Sequence, residues 1–204
     1  MEGSPRAQAT SARREAILKA ALRLFVRKGF ANTSIEEIKR DSGASVGSIY
    51  HHFGGKEGVA AALYIEALRD YQNSLIALVA ARPKAREGIE GVVRHHLHWV
   101  ATHPDEARYL LSMRSAEVML AYRKEVRAMN KTFFREVFGW LEEQADAGRI
   151  RAVPRSLYFP LVIGPSQELA REWLEGRLDM PLEQAAPLLA AAAWNAIRQG
   201  GRRR

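Results

Sequence analysis

The chain predicts an all-α fold, and three observations carry that expectation. Every long stretch of its 204 residues repeats apolar side chains at spacings of three and four. Glycine, proline and Ser/Thr caps punctuate these stretches at helical lengths. No alternating apolar–polar run longer than a few residues offers a half-buried strand. With 47% apolar and 26% charged residues, the balance is that of a soluble globular protein.

In Ala12 to Lys28, Ile17, Ala20, Ala21, Leu24 and Phe25 form one apolar face, with arginines and lysines on the others and Gly29 as a C-cap. "TSIEEIKRDSG" offers two overlapping capping boxes, Thr33 with Glu36 or Ser34 with Glu37, so a short helix starts there and stops at Gly43. Ser45 caps another short helix that Gly54-Gly55 ends. A long helix follows to about Ala81. Further helices are expected at roughly 86–102, 105–112, 114–147, 155–176 and 181–199, with a break near Arg114 and a kink or division at Pro160 and Gly164-Pro165.

Charge and cysteine content narrow the partners. The formal charge is +8, and residues 1–56 hold ten Lys/Arg against five Asp/Glu, which favours an anionic partner for this quarter of the chain. The remaining surplus equals the Arg202-Arg203-Arg204 tail. Cysteine is absent, which excludes disulfides and thiolate metal sites. The N-terminus lacks the apolar core of a secretory signal, and no run approaches the ~20 apolar residues of a membrane span. A cytoplasmic protein without a membrane partner is expected.

Two short helices joined by a tight turn at Gly43 make a helix-turn-helix. Ile49 and Phe53, four apart, face the core. Val46, Gly47, Ser48, Tyr50 and His51 then lie on or near the outward face, where small side chains permit entry into a major groove about 12 Å wide. Helix N-termini at Thr33/Ser34, Ser45 and Gly55/Lys56 offer N–H groups to phosphates, and Tyr50, His52 and Lys56 add donors.

The segment from about Arg13 to Leu63 resembles the DNA-binding domain of the TetR family of bacterial transcriptional regulators. The family's pattern falls on Thr33, Ile38, Gly43, Ser45, Gly47, Ser48, Ile49, Tyr50, His52, Phe53, Lys56 and Glu57. Lys39 stands where the family usually has Ala, and Ser42 also replaces a usual Ala. The resemblance implies Val46, Gly47, Ser48 and Tyr50 at the groove, and Thr33, Ser34, Ser45, Tyr50, His52 and Lys56 on phosphates.

It also implies an organisation: a three-helix DNA-binding domain over residues 1–57, then a larger helical ligand-binding and dimerisation domain over 58–204. A small-molecule effector bound in the second would shift the long fourth helix and change the spacing of two recognition helices in a homodimer. Candidate effector contacts are Trp99, Tyr109, Met113, Glu117, Phe134 and Tyr158, with His95, His98, Arg114 and Gln167 as further polar groups. Leu169, Trp173, Leu188, Leu189, Ala192 and Ala196 are the candidate dimerisation residues, although an intramolecular helix pair would use the same stripe.

The expectation is therefore a DNA-binding repressor released by a small, largely apolar molecule, not an enzyme and without a cofactor. Two alternatives stand beside it. One is a ligand-independent architectural DNA-binding protein. The other is a metal-assisted hydrolase built on "RHHLHWVATH", where His95 and His98 share a helix face and His103 returns near them, although no further ligand is identified.

Overall fold

The computed structural model describes residues 5–113 and 117–200. Among these the chain is all-α: α1 Pro5–Lys28, α2 Ile35–Ser42, α3 Val46–Phe53, α4 Lys56–Ala80, α5 Ala85–Thr102, α6 Pro104–Met113, a 3₁₀ segment Glu117–Tyr122, α7 Arg123–Asp146, α8 Arg155–Val162, α9 Gly164–Leu174 and α10 Leu182–Ile197. The break expected near Arg114 and the Arg202–Arg204 tail lie outside the described residues.

The helix expected over 155–176 is divided at Ile163. Pro160 lies inside α8, and Pro165 sits in the first turn of α9, where a missing N–H leaves no helical bond unmade. From 117 onward, the single helix expected to run to 147 is instead a 3₁₀ segment followed by α7.

The chain folds as two compact units. The first comprises Met1–Leu68 with Asp105–Val126. Ile17, Leu24, Ile38, Ile49 and Val59 are fully buried at its centre, and Tyr109, Met113 and Met119 join the same cluster. Tyr109 donates its hydroxyl to the Ala60 carbonyl at 2.8 Å and stacks on Phe25 at 5.8 Å. A Cβ at Gly58 would fall 1.7 Å from the Phe53 carbonyl oxygen, so only glycine lets α4 begin this close to the end of α3.

The second unit comprises Arg69–Pro104 with Arg127–Arg204. Here α5 packs mainly on α10 and also on α9, while α8 packs on both α9 and α10. Ile89, Val93 and Leu97 of α5 and Leu182, Ala190 and Ile197 of α10 are buried. The indole of Trp140 presses on Gly88, where a Cβ would come within 2.3 Å of the ring. After α7 the chain docks on the end of α10 through the Arg151 N–H, which donates to the Ile197 carbonyl at 2.7 Å.

Candidate nucleic-acid interface

Local chemistry fixes both short helices of the first unit. Ser34 and Glu37 close a reciprocal capping box on α2, and Lys28 reaches the same carboxylate. The Lys28 hydrogen bond and then the Ser34 N–H hold the Glu37 carboxyl down to about 2. Gly43 ends α2 at φ 68°, a left-handed conformation that side chains oppose, and its N–H returns to the Lys39 carbonyl at 3.0 Å. Two residues later Ser45 caps α3, its hydroxyl accepting the Ser48 N–H at 3.1 Å.

The turn between α2 and α3 packs through buried Ile38, Ala44 and Ile49. Lys39, the departure from the family pattern, lies exposed and pairs with Glu36 at 3.0 Å, so it stays out of that contact. Ser42 accepts the Ala44 N–H at 3.2 Å and stiffens the turn.

The outward side of α3 carries Gly47, Tyr50 and His51 exposed, with Val46, Ser48 and His52 half-buried. Tyr50 is 54% exposed, unusual for a ring of its size. A Cβ at Gly47 would meet nothing nearer than the Ser45 hydroxyl at 3.9 Å, so nothing within the chain demands glycine there. The His51, His52 and Phe53 rings follow one another at 5.3 and 6.0 Å, and the Arg14 guanidinium covers Phe53 at 5.4 Å. On α1, Arg13, Arg23 and Arg27 are exposed and carry no ion pair among the described residues.

Two expected phosphate contacts sit otherwise. Thr33 is 2% exposed, and its hydroxyl donates to the Gly29 carbonyl at 2.9 Å, closing the turn after α1. The Lys56 ammonium donates to the carbonyls of Phe30 and Thr33 and lies over the Phe30 ring at 4.4 Å. Both residues are occupied in building the turn that aims α2. Ser34 and Ser45 remain exposed at their helix N-termini.

The expected effector contacts fall in both units. Tyr109 and Met113 are core of the first unit, because their ring and thioether fill the space beside Phe25 and α4, and Glu117 is exposed there. In the second unit Tyr158 is buried against Phe138, which stacks on half-exposed Phe134.

Trp99 belongs to a separate cluster. Its indole N–H donates to Asp70 at 2.8 Å, its ring stacks on His103 and its edge meets Tyr71. His95 bonds to Ser74 and His96 to Tyr71, each at 2.9 Å. These imidazoles are thus engaged with hydroxyls and indole, and among the described residues no group of three His, Cys, Asp or Glu side chains could hold a metal ion. Sequence reasoning did not single out His96, although Val93, Leu97 and Val100 already place it on the apolar face of α5.

The candidate dimerisation residues share the sides of α9 and α10 that the unit leaves uncovered. Leu188 is 76% exposed, Ala192 is exposed, and Leu169, Trp173, Leu189 and Ala196 are half-buried.

This geometry defines a helix-turn-helix. Residues 17–63 match the profile of the bacterial regulatory proteins of the tetR family. The helix-turn-helix segment is thus of the tetR type. The chain is 39% identical over 83 residues to the HTH-type transcriptional regulator LmrA of Bacillus subtilis, a match covering 40% of this chain and 44% of that protein. To the HTH-type transcriptional repressor Rv1474c of Mycobacterium tuberculosis it is 32% identical over 106 residues, covering 49% and 52%. The chain thus spans about half the length of these curated relatives.

Solved structures share the fold. A TetR-family regulator from Marinobacter aquaeolei superposes with a TM-score of 0.81 at 22% identity, covering 95% of this chain and all of that one. The regulator FadR of Bacillus subtilis, solved with stearoyl-CoA, gives 0.76 at 19%, covering 90% and 99%.

Proposed function

We propose that the chain is a homodimeric, sequence-specific transcriptional repressor that leaves its operator when a small, largely apolar effector binds within residues 58–204. The outward face of α3 carries the reading. Gly47 in open space and the exposed Tyr50 ring have no task inside the chain, whereas both suit a helix that enters a major groove. In this reading Val46, Gly47, Ser48, Tyr50 and His51 meet bases. Ser34, Ser45 and His52, with the two capped N-termini, hold phosphates. Residues 1–57 form the DNA-binding segment and 58–204 the segment for effector and dimerisation.

Leu188, Ala192 and their neighbours on α9 and α10 are the surface a second copy covers. Repression is supported by the naming of Rv1474c, and an apolar effector by the stearoyl-CoA bound to FadR. Selection of bound duplexes from a random pool, followed by salt-dependent affinities, tests the reading. A two-fold related site with half-sites about one helical turn apart is expected. A pool without a preferred sequence would instead favour the architectural alternative.

A further inference from the structure

Resting on the effector reading above, we propose that the Nε2–H of His96 holds the effector, which offers it an uncharged carbonyl oxygen on an otherwise apolar body. His96 is 3% exposed in the middle of the buried face of α5. Its neighbours at three and four residues along the helix are Val92, Val93, Trp99 and Val100. A polar side chain in such a place needs a reason.

Tyr71 supplies the orientation. Its hydroxyl lies 2.9 Å from His96 Nδ1; donation to that nitrogen strands only the Nε2–H, whereas the reverse tautomer would strand both the hydroxyl proton and the Nε2 lone pair. Nδ1 is therefore the acceptor, and the ring proton sits on Nε2. Among the described residues that buried Nε2 has no hydrogen-bond partner. Burial, and secondarily His95, also pushes the imidazole down to about 4, so it donates as a neutral ring.

The surroundings narrow what can accept. Tyr71 and Trp99 meet edge-on at 5.1 Å, and Trp99 stacks on His103 at 5.0 Å, giving an aromatic wall. The Asp70 carboxylate, bound to the Trp99 indole, adds a negative charge to the cluster and disfavours an anionic acceptor. His95 is already bonded to Ser74. A ketone, ester, thioester or amide oxygen meets these conditions, and a free carboxylate does not. The Trp140 Nε1–H and Ser166 Oγ are likewise without a partner, but the Trp140 ring is pressed against Gly88 and Ser166 has no aromatic ring bonded beside it.

The test uses the full chain with ¹⁵N-labelled histidine, titrated with 2-nonanone, methyl octanoate and octanamide, and with nonane as the control without an acceptor. Binding and release from the selected operator are both measured. At least one carbonyl compound should move the His96 Nε2 resonance and bind His96→Phe about tenfold more weakly. His96→Gln, which keeps an N–H, should recover most of the affinity. If His96→Phe does not fold, Tyr71→Phe, which releases the tautomer, should weaken binding in its place. Equal binding to wild type and variant, or an unmoved resonance at saturation, would overturn the His96 assignment while leaving the effector reading standing. If no compound binds or releases DNA, both fall.

Discussion

The ammonium of Lys56 donates to the Thr33 carbonyl at 2.8 Å and to the Phe30 carbonyl at 3.0 Å, tying the first residue of α4 to the turn between α1 and α2. That turn presents the capped start of α2. Lys56 is therefore a positioning residue, and replacing it by Met leaves two half-buried carbonyls without charged donors. Lys56→Met should cost about 1–3 kcal/mol in urea unfolding and weaken binding to all duplexes alike. An unchanged unfolding midpoint, with a salt slope lower by about 1, would return the residue to a direct phosphate contact.

Tyr50 makes the opposite case. Its ring is more than half exposed, so truncation removes little that the fold uses. Tyr50→Ala should leave stability within about 0.5 kcal/mol of wild type and lower affinity for the selected operator by about tenfold or more. Retained operator affinity would remove α3 from the recognition role.

Much of this was legible in the sequence, because caps and glycines act locally. Ser34 with Glu37, Gly43, Ser45 and Gly54 set the bounds of α2 and α3 through bonds spanning three or four residues. Roles that depend on distant partners were not legible. Lys56 and Thr33 read as phosphate ligands because nothing near them in sequence reveals the turn they close. Tyr109 and Met113 read as effector contacts because helical spacing shows that they are buried, but not in which core. His96 hid among four histidines, although its apolar neighbours at 93, 97 and 100 marked it as the inward one.

The same histidine sets a pH dependence. Burial first, then His95, depresses its folded-state pKa to about 4 from an ordinary 6.5. On acidification the unfolded chain takes the proton first, so stability is intact above about 6.5 and is lost as pH falls towards 4. The full window corresponds to about 3 kcal/mol. Tyr71 and Asp70 on α4, His95 and His98 on α5 and His103 just after it are the other ionisable groups around the cluster. His96→Phe should flatten denaturant stability across that window, and a slope equal to wild type would assign the loss to other groups.

Leu188 projects from α10 into solvent while the opposite side of the helix, through Ala190, Ala193 and Ile197, is buried. A charge at this position disturbs no contact within the protomer. Leu188→Glu should therefore leave the protomer's helical signal intact, shift sedimentation to the monomer and abolish tight operator binding, since two half-sites need two linked readers. A dimer that persists at low micromolar concentration would place the interface elsewhere.

Gly47 separates packing from recognition most cleanly, because the two predict changes of opposite sign. Its backbone is ordinary helix without a positive φ, and a Cβ would meet only the Ser45 hydroxyl at 3.9 Å. Judged by the isolated chain, alanine is the better residue, and Gly47→Ala should raise stability by about 0.5 kcal/mol, tempered by its place in the first turn of α3. Judged by the duplex, the added methyl occupies the space through which the helix approaches the groove floor, and operator affinity should fall by about tenfold. Thermal unfolding and fluorescence anisotropy on the same preparation read both effects. A variant more stable and equally tight on DNA would mean that the groove leaves room above residue 47, so the helix enters by another edge, with Tyr50 and His51 leading.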